Sequence, residues 1–195
     1  MTPLTDDRLA SERDILALVA GDAWMMAALS AVAGLGLPDC WIGAGFLRGA
    51  VWDRLHGYGS RTPLDDIDVV YFDPEAPDPA AEVALGRRLG ARLSGLPWEV
   101  KNQARMHLRN GDAPYGSCAE ALAHWLETPT AVALRLNQAG GLELLAPLGT
   151  EDLLGLVVRP TLHARSHKHR LAAYRARLEA KDWPAKWPRL RVVWE

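Results

Sequence analysis

The stretch Leu64–Phe72 constrains this chain more than any other part of the sequence, because it predicts a buried strand that carries two acids. Side chains alternate between the two faces of a strand, so Asp66 and Asp68 point to the same face, away from their apolar neighbours. Like charges roughly 6–7 Å apart along a strand repel each other. A divalent cation held by oxygen ligands offsets that repulsion most directly. A strand end whose acids simply face water fits the same two residues.

A glycine turn precedes this strand in the chain. Gly43-Ala44-Gly45 follows a short apolar run, and the residues after it have helical spacing. A turn between a strand and a helix N-terminus exposes free backbone N–H groups, which suit a phosphate. Plain turn chemistry explains the same glycines. Arg48, about one turn into the helix, could meet a phosphate or lie at the surface.

A third acid lies in a second short apolar segment, Pro97–Lys101, which predicts another strand. Apolar residues flank Glu99 and should face the core, so Glu99 and Lys101 share the opposite face. Lys101 could pair with Glu99 or bind a triphosphate. Three carboxylates on neighbouring strands, beside a turn that cradles phosphate, form a two-metal site suited to nucleotidyl transfer.

The remaining patterns predict further helices, a hairpin and a folded-back tail. Ser11 is an N-cap residue, and one helix is predicted from Glu12 to Val32. Helical spacing also covers 80–93, 102–108, 118–127 and the basic segment 163–180, and apolar runs at 130–136 and 142–146 predict a hairpin. The Trp-Pro pairs at 183–184 and 187–188 cannot continue a helix, so the tail should wrap back over the core.

Composition excludes some classes of protein. A chain of 195 residues with 49% hydrophobic residues can bury one sizeable core. The formal net charge of -2 argues against broad nonspecific nucleic-acid binding, although a local basic patch stays possible. Cys40 and Cys118 do not suggest a disulfide framework. The polar start, Met1–Asp7, does not look like a signal peptide, so we expect a cytoplasmic protein without a membrane span.

The histidines of the basic segment allow two interpretations. His163 and His167 lie one helical turn apart and His169 follows, which permits a metal site. The basic neighbours would repel a cation, however, and favour a solvated basic face. His107 could line the same cleft as the acids, but a structural histidine is the favoured interpretation.

Taken together, the motifs resemble the nucleotidyltransferase superfamily that includes DNA polymerase beta. The segments Trp41–Phe46, Asp65–Val69 and Val100–His107 look like hallmarks of a bacterial nucleotidyltransferase-like family whose substrate is not established. The resemblance implies an α+β fold: a mixed central sheet with helices, and extra helices at both ends. It implies one domain over 1–195, with a catalytic core at about 38–110 and a hairpin and helix extension at about 111–195.

The resemblance also implies a set of site residues. Asp66, Asp68 and Glu99 would be catalytic and would hold Mg²⁺ or Mn²⁺. The nucleotide would be bound by the glycine turn and three cations, namely Gly43, Ala44, Gly45, Arg48, Lys101 and Arg105.

This set implies an enzyme that moves a nucleoside monophosphate from an NTP to an acceptor hydroxyl, with pyrophosphate released. The acceptor is unknown. A small molecule is favoured over RNA or protein, and a long nucleic-acid template is not expected because the chain has no large second domain. One departure supports an alternative: the turn Gly43-Ala44-Gly45 has no serine hydroxyl for a phosphate. The alternative is a nucleotide-binding or partner-binding module without catalysis.

Overall fold

The computed structural model describes residues 9–195, so the predicted absence of a leader at Met1–Asp7 lies outside the described residues. The sequence analysis predicted one N-terminal helix, and this prediction is wrong. The segment forms two helices, α1 (Glu12–Ala20) and α2 (Ala23–Ala33). Gly21 ends α1, and the Asp22 carboxylate accepts a hydrogen bond from the amide of Met25, which starts α2 as an N-cap does. The two helices meet at a bend of 92°.

A five-stranded mixed sheet forms the centre of the fold, as the sequence predicted. Its order is β3-β2-β1-β4-β5, and only β2 and β3 run parallel. The strands are β1 (Trp41–Gly43), β2 (Ile67–Tyr71), β3 (Trp98–Asn102), β4 (Ala133–Leu136) and β5 (Leu142–Leu145). The parallel pair needs a crossover connection, which α4 provides.

Helices cover the sheet and connect its strands. The glycine turn leads from β1 into α3 (Gly45–His56), and α4 (Pro79–Arg92) starts with Asp78 as N-cap and a proline in its first turn. Shorter elements follow: a 3₁₀ turn (Gln103–Arg105), α5 (Met106–Asn110), α6 (Cys118–Ala123), a second 3₁₀ turn (Thr128–Thr130) and α7 (Glu151–Leu154).

The two faces of the sheet are packed differently. Ile67, Val69 and Tyr71 of β2 are buried in the main hydrophobic cluster, as the alternation in the sequence predicted. Val70 points the other way, into a smaller cluster with Cys118 of α6. Asp68 lies on the same side as Val70, so the acids face the more open side of the sheet.

The C-terminal extension closes over α3. The basic segment predicted as one helix is broken at His167 into α8 (Leu162–Ser166) and α9 (Lys168–Lys181), because His167 has extended backbone angles. Next come α10 (Trp183–Lys186) and β7 (Arg191–Val192), which pairs in parallel with β6 (Val157–Val158).

The tryptophans of the tail pack against Trp52 of α3, at ring-centroid distances of 5.7 Å for Trp183 and 5.1 Å for Trp187. The predicted fold-back of the tail is therefore confirmed. Among residues 9–195, no single helix is long and apolar enough to cross a membrane; α1 and α2 meet that test only as a bent pair.

Candidate active site

The three predicted acids line one cleft of about 380 Å³. Asp68 of β2 and Glu99 of β3 are paired residues of the parallel ladder, and Asp66 directly precedes β2. The parallel pairing places the two strands in the register that sets these side chains next to each other. The sequence prediction that these acids share a face near the glycine turn therefore agrees with their placement.

The acids of the cleft repel one another. Burial, together with the neighbouring charges of Asp66 and Glu99, raises the pKa of Asp68 to about 6. The oxygens of carboxylates are the ligands that hard divalent cations prefer. Within the described residues, no three or more acid, histidine or cysteine side chains are already gathered closely enough to hold a metal ion, so these three would have to converge on one.

The glycine turn has a specific backbone geometry. Ala44 has φ 48° and ψ −120°, a positive φ that L-residues rarely adopt, and its N–H donates to the carbonyl of Val132 at 3.0 Å. The Ala44 amide is thus used by the fold, and the free amides are those of the first turn of α3. A Cβ at Gly43 would lie 3.1 Å from the ring of Trp125, so glycine lets that ring approach the backbone.

A smaller cavity adjoins the cleft at this turn, and we call it the cationic pocket. It shares Ala44, Asp66, Asp68 and Arg177 with the cleft. Its other lining includes Gly45 and three more cations, Arg48, Lys181 and Lys186. Positive side chains gathered at a helix N-terminus favour an anion such as a phosphate group, although Lys181 already pairs with Asp65 at 2.9 Å.

Arg48 is the buried cation of the cationic pocket. Its side chain is 8% exposed and lies beside the rings of Trp52 and Trp183, at 5.1 and 4.2 Å. Within residues 9–195, its Nε and Nη1 have no hydrogen-bond partner. Burial lowers the pKa of the guanidinium to about 10. A buried cation with free donors is stabilised by an anion, which supports the phosphate role over the surface alternative.

Two residues of the site were missed by the sequence analysis. Glu127 is 2% exposed, and its Oε1 lies 3.0 Å from Nε of Arg177 on α9. The Thr130 hydroxyl donates to Oε2 of the same glutamate at 3.0 Å. Glu127 thereby holds Arg177 where the cleft and the cationic pocket meet. The spacing of Arg170 and Arg177 was the signal in the sequence, because residues two helical turns apart lie on the same face of a helix. Both residues line the cleft.

The segment after β3 contributes differently from the expectation. Lys101 lines the cleft and its ammonium lies 3.2 Å from Glu99 Oε1, which agrees with the pairing alternative. Arg105 lines neither cavity: its Nε donates to Oε1 of the buried Glu82 at 2.7 Å. The nucleotide-binding role expected for Arg105 therefore has no support in its position. Gln103 lines the cleft instead.

Comparison with known proteins places this geometry in a family. A model of the family described as "Nucleotidyltransferase" matches residues 30–192. No curated protein matches. A solved structure described as "a CCA-adding enzyme head domain" is 34% identical, with a TM-score of 0.85 over 96% of this chain and 98% of that chain.

Larger solved structures share the fold at lower identity. A CCA-adding enzyme with CTP is 15% identical with a TM-score of 0.58, and the Thermotoga maritima CCA-adding enzyme complexed with tRNA is 18% identical with a TM-score of 0.54. The chain covers 43% and 42% of those two proteins, respectively. The family match spans most of the sequence, and the acids and the glycine turn lie inside it. The chain belongs to the nucleotidyltransferase family.

Proposed function

We propose that this protein transfers a nucleoside monophosphate from an NTP to an acceptor hydroxyl in a metal-dependent reaction that releases pyrophosphate. The observation that carries the proposal is the position of Asp66 and Asp68, which lie where the cationic pocket meets the larger cleft. Such a junction suits a reaction in which the leaving group lies against the cations of the smaller pocket and the acceptor approaches through the larger cleft.

The positive charges around the cationic pocket are suited to a triphosphate bound at its mouth, since the pocket itself encloses only about 30 Å³. Arg48, Arg177, Lys181 and Lys186 supply positive charge there, and the first turn of α3 supplies amides. The Nη2 of Arg48 lies 3.5 Å from the place where a Cβ on Gly45 would be, so the guanidinium sits directly beside the turn. These groups would bind the β- and γ-phosphates and then neutralise pyrophosphate as it leaves.

Asp66, Asp68 and Glu99 are the residues that would hold Mg²⁺ or Mn²⁺. Their fit rests on a donor set of carboxylate oxygens only, and on the burial and mutual repulsion that together raise the pKa of Asp68. When bound, the metal supplies positive charge that stabilises the attacking and leaving oxygens.

Side chains of this protein would accept the proton of the acceptor hydroxyl and stabilise the negative charge that develops. The acceptor oxygen attacks the α-phosphorus, the bond from that phosphorus to the bridging oxygen of the β-phosphate breaks, and pyrophosphate leaves. Glu99 accepts the proton of the acceptor hydroxyl, and Lys101, 3.2 Å away, orients the carboxylate. Arg177 pairs with Glu127 and lines both cavities. Its guanidinium would therefore stabilise negative charge both at the reacting phosphate and on the leaving pyrophosphate.

Replacing Arg48 by methionine should weaken NTP binding about tenfold or more, since charge-assisted hydrogen bonds of about 1.5–3 kcal/mol would be lost. Folding stability should hold, because the change removes a buried cation whose Nε and Nη1 are unpartnered. Calorimetry with ATP and with tripolyphosphate measures the affinity. Arg54→Met, on the exposed side of the same helix, is the matched control. Equal affinity in both variants would remove Arg48 from the site.

The proposed function itself is tested by following an α-labelled NTP with Mg²⁺ or Mn²⁺ in the presence of cell extract. We expect labelled acceptor and an equal amount of pyrophosphate, for at least one of the four NTPs. The second candidate function is nucleotide binding without turnover, favoured by the missing serine hydroxyl and by the use of the Ala44 amide in the sheet. Tight NTP binding with no pyrophosphate under any of these conditions would select that candidate.

A further inference from the structure

A chain of aromatic rings runs along the surface beside the cleft. The rings of His124 and His163 are 4.2 Å apart, those of His163 and His167 are 4.6 Å apart, and those of His167 and His169 are 5.9 Å apart. The metal interpretation of these histidines gains no support, since no metal-binding group of three or more is found among residues 9–195. We define the histidine–arginine face as these rings and the cations around them: His124, His163, His167, His169, Arg109, Arg165 and Lys168.

Among residues 9–195, no acid forms an ion pair with Arg109, Arg165 or Lys168 of this face. Within residues 9–195, the side chains of Arg109, Arg165 and Lys168 make no hydrogen bond or ion pair, and all three residues are exposed. Further along α9 the pattern is different, because Arg177 contacts Glu127 and Lys181 contacts Asp65. The positive charge at the start of α9 is therefore free for an external anion.

The histidine–arginine face is continuous with the cleft. Arg109 and Arg170 both line the cleft, and Arg170 is 7% exposed with an unpartnered Nε. Asp112 contacts both the histidine–arginine face and the cleft. Its Oδ1 lies 2.9 Å from Nε2 of His163, and its Oδ2 lies 3.5 Å from Nη1 of Arg170. The ring chain thus begins next to the cleft and leads away from it.

We infer that the histidine–arginine face binds a single-stranded nucleic acid whose terminal hydroxyl enters the cleft as the acceptor. Phosphates along a strand pair with spaced arginine and lysine side chains, and unstacked bases stack on aromatic rings. The exposed Leu108 and Leu162, each 76% accessible, adjoin Arg109 and His163 in the chain and add apolar surface there. A small acceptor would be contained by the cleft and would leave this surface without a use.

This inference rests on the proposed function, whose acceptor it specifies. The terminal hydroxyl oxygen of the strand forms a bond to the α-phosphorus, pyrophosphate leaves, and the proton passes to Glu99. The strand becomes longer by one nucleotide. The sequence analysis favoured a small acceptor, and the net charge of -2 argues only against broad nonspecific binding. Neither observation concerns this local face.

Binding is tested first, without NTP or metal, so that the result is independent of the transfer reaction. The probe is a 5′-fluorescent single-stranded RNA dodecamer, titrated by anisotropy at several salt concentrations. Arg165→Ser/Lys168→Ser should weaken binding at least tenfold. It should also reduce the slope of log affinity against log salt by about 1.4, since each phosphate contact on a single strand contributes about 0.7.

The matched control is Arg87→Ser/Arg88→Ser, which removes two exposed cations from α4. It should bind the RNA like the wild type. Loss of binding to the same extent in both double variants, or no RNA binding by the wild type, would overturn the inference.

Transfer is tested second, with the same RNA carrying either a 3′-hydroxyl or a 3′-phosphate. We expect labelled nucleotide only on the 3′-hydroxyl strand, and less of it with Arg165→Ser/Lys168→Ser at subsaturating RNA. If labelled nucleotide instead enters a small acceptor of the extract, at equal rates in wild type and double variant, the inference fails while the proposed function stands. If the face binds RNA selectively but no acceptor is ever labelled, the acceptor role and the proposed function both fail.

Discussion

The metal-free Asp68→Asn variant should be more stable than the wild type at pH 8, by up to about 3 kcal/mol. Burial and the charges of Asp66 and Glu99 raise the pKa of Asp68 from its ordinary value of 3.8 to about 6 in the folded protein. A carboxyl whose pKa rises on folding opposes folding once it is ionised. This loss of folding stability is absent below about pH 4, grows between pH 4 and 6, and is complete above pH 6. It amounts to about 1.36 kcal/mol for each unit by which the pKa is raised.

Urea denaturation at pH 4 and at pH 8 measures this effect. The control is Asp65→Asn, three residues away, where the hydrogen bond and charge of Lys181 lower the pKa of the carboxyl instead. A lowered pKa contributes stability above the ordinary pKa, so Asp65→Asn should lose stability at pH 8, the opposite sign. A stability gain for Asp68→Asn that is the same at pH 4 and pH 8 would contradict the electrostatic explanation.

The same Asp68→Asn variant should bind Mn²⁺ far more weakly. The amide is neutral and offers one oxygen where the carboxylate offers a charged pair, so the attraction that offsets the repulsion among Asp66, Asp68 and Glu99 is lost. Calorimetry on the folded variant measures it. If Asp68→Asn is more stable to unfolding and also binds Mn²⁺ more weakly, the result supports Asp68 as a metal ligand. Unchanged Mn²⁺ affinity would show that Asp68 is not a ligand.

The parts of the site that the sequence predicted are the parts determined locally. The alternation in Leu64–Phe72 is enough to place Asp66 and Asp68 opposite the core. The strand containing Glu99 has the same local pattern, and the family resemblance brought the two strands together. The ladder that pairs Asp68 with Glu99 agrees with that expectation.

The parts that were missed depend on contacts between distant segments. Glu127 and Arg177 are separated by fifty residues in the chain, and nothing local to either residue predicts their ion pair. Arg105 shows the reverse error, since its motif suggested a ligand contact while its partner is the buried Glu82 of α4. A charged residue in a motif can have a structural role, such as an ion pair between two segments, instead of binding a ligand. Only the tertiary structure distinguishes the two roles.

The helix boundaries illustrate the same limit. Residues 12–32 have a continuous apolar pattern, and Gly21 alone is tolerated in a helix at a cost of about 1 kcal/mol. Asp22 caps a second helix there, and side chains of both helices pack into the main core on either side of the 92° bend. At His167 there is no glycine at all, yet the backbone is extended there and α8 ends.

Glu99→Gln should lower nucleotide transfer by at least about 10²-fold while NTP affinity changes little. The triphosphate would still be held by Arg48, Arg177 and the first turn of α3. The chemical step needs more, because the acceptor oxygen must lose its proton as it attacks, and proton transfer by a positioned group is worth about 10²–10⁴-fold. Glutamine keeps the size of the side chain and its place in β3, so the comparison isolates the charge.

Glu143→Gln provides the matched control. Glu143 lies on β5, at the opposite edge of the same sheet, and its Oε2 also pairs with a cation on the neighbouring strand, Arg135 Nε, at 2.6 Å. It should transfer nucleotide like the wild type, since it is remote from the cleft. NTP affinity and nucleotide incorporation are measured on both variants under the same metal conditions. If Glu99→Gln bound and transferred as Glu143→Gln does, Glu99 would not be the proton acceptor, and the case for catalysis would rest on Asp66 and Asp68 alone.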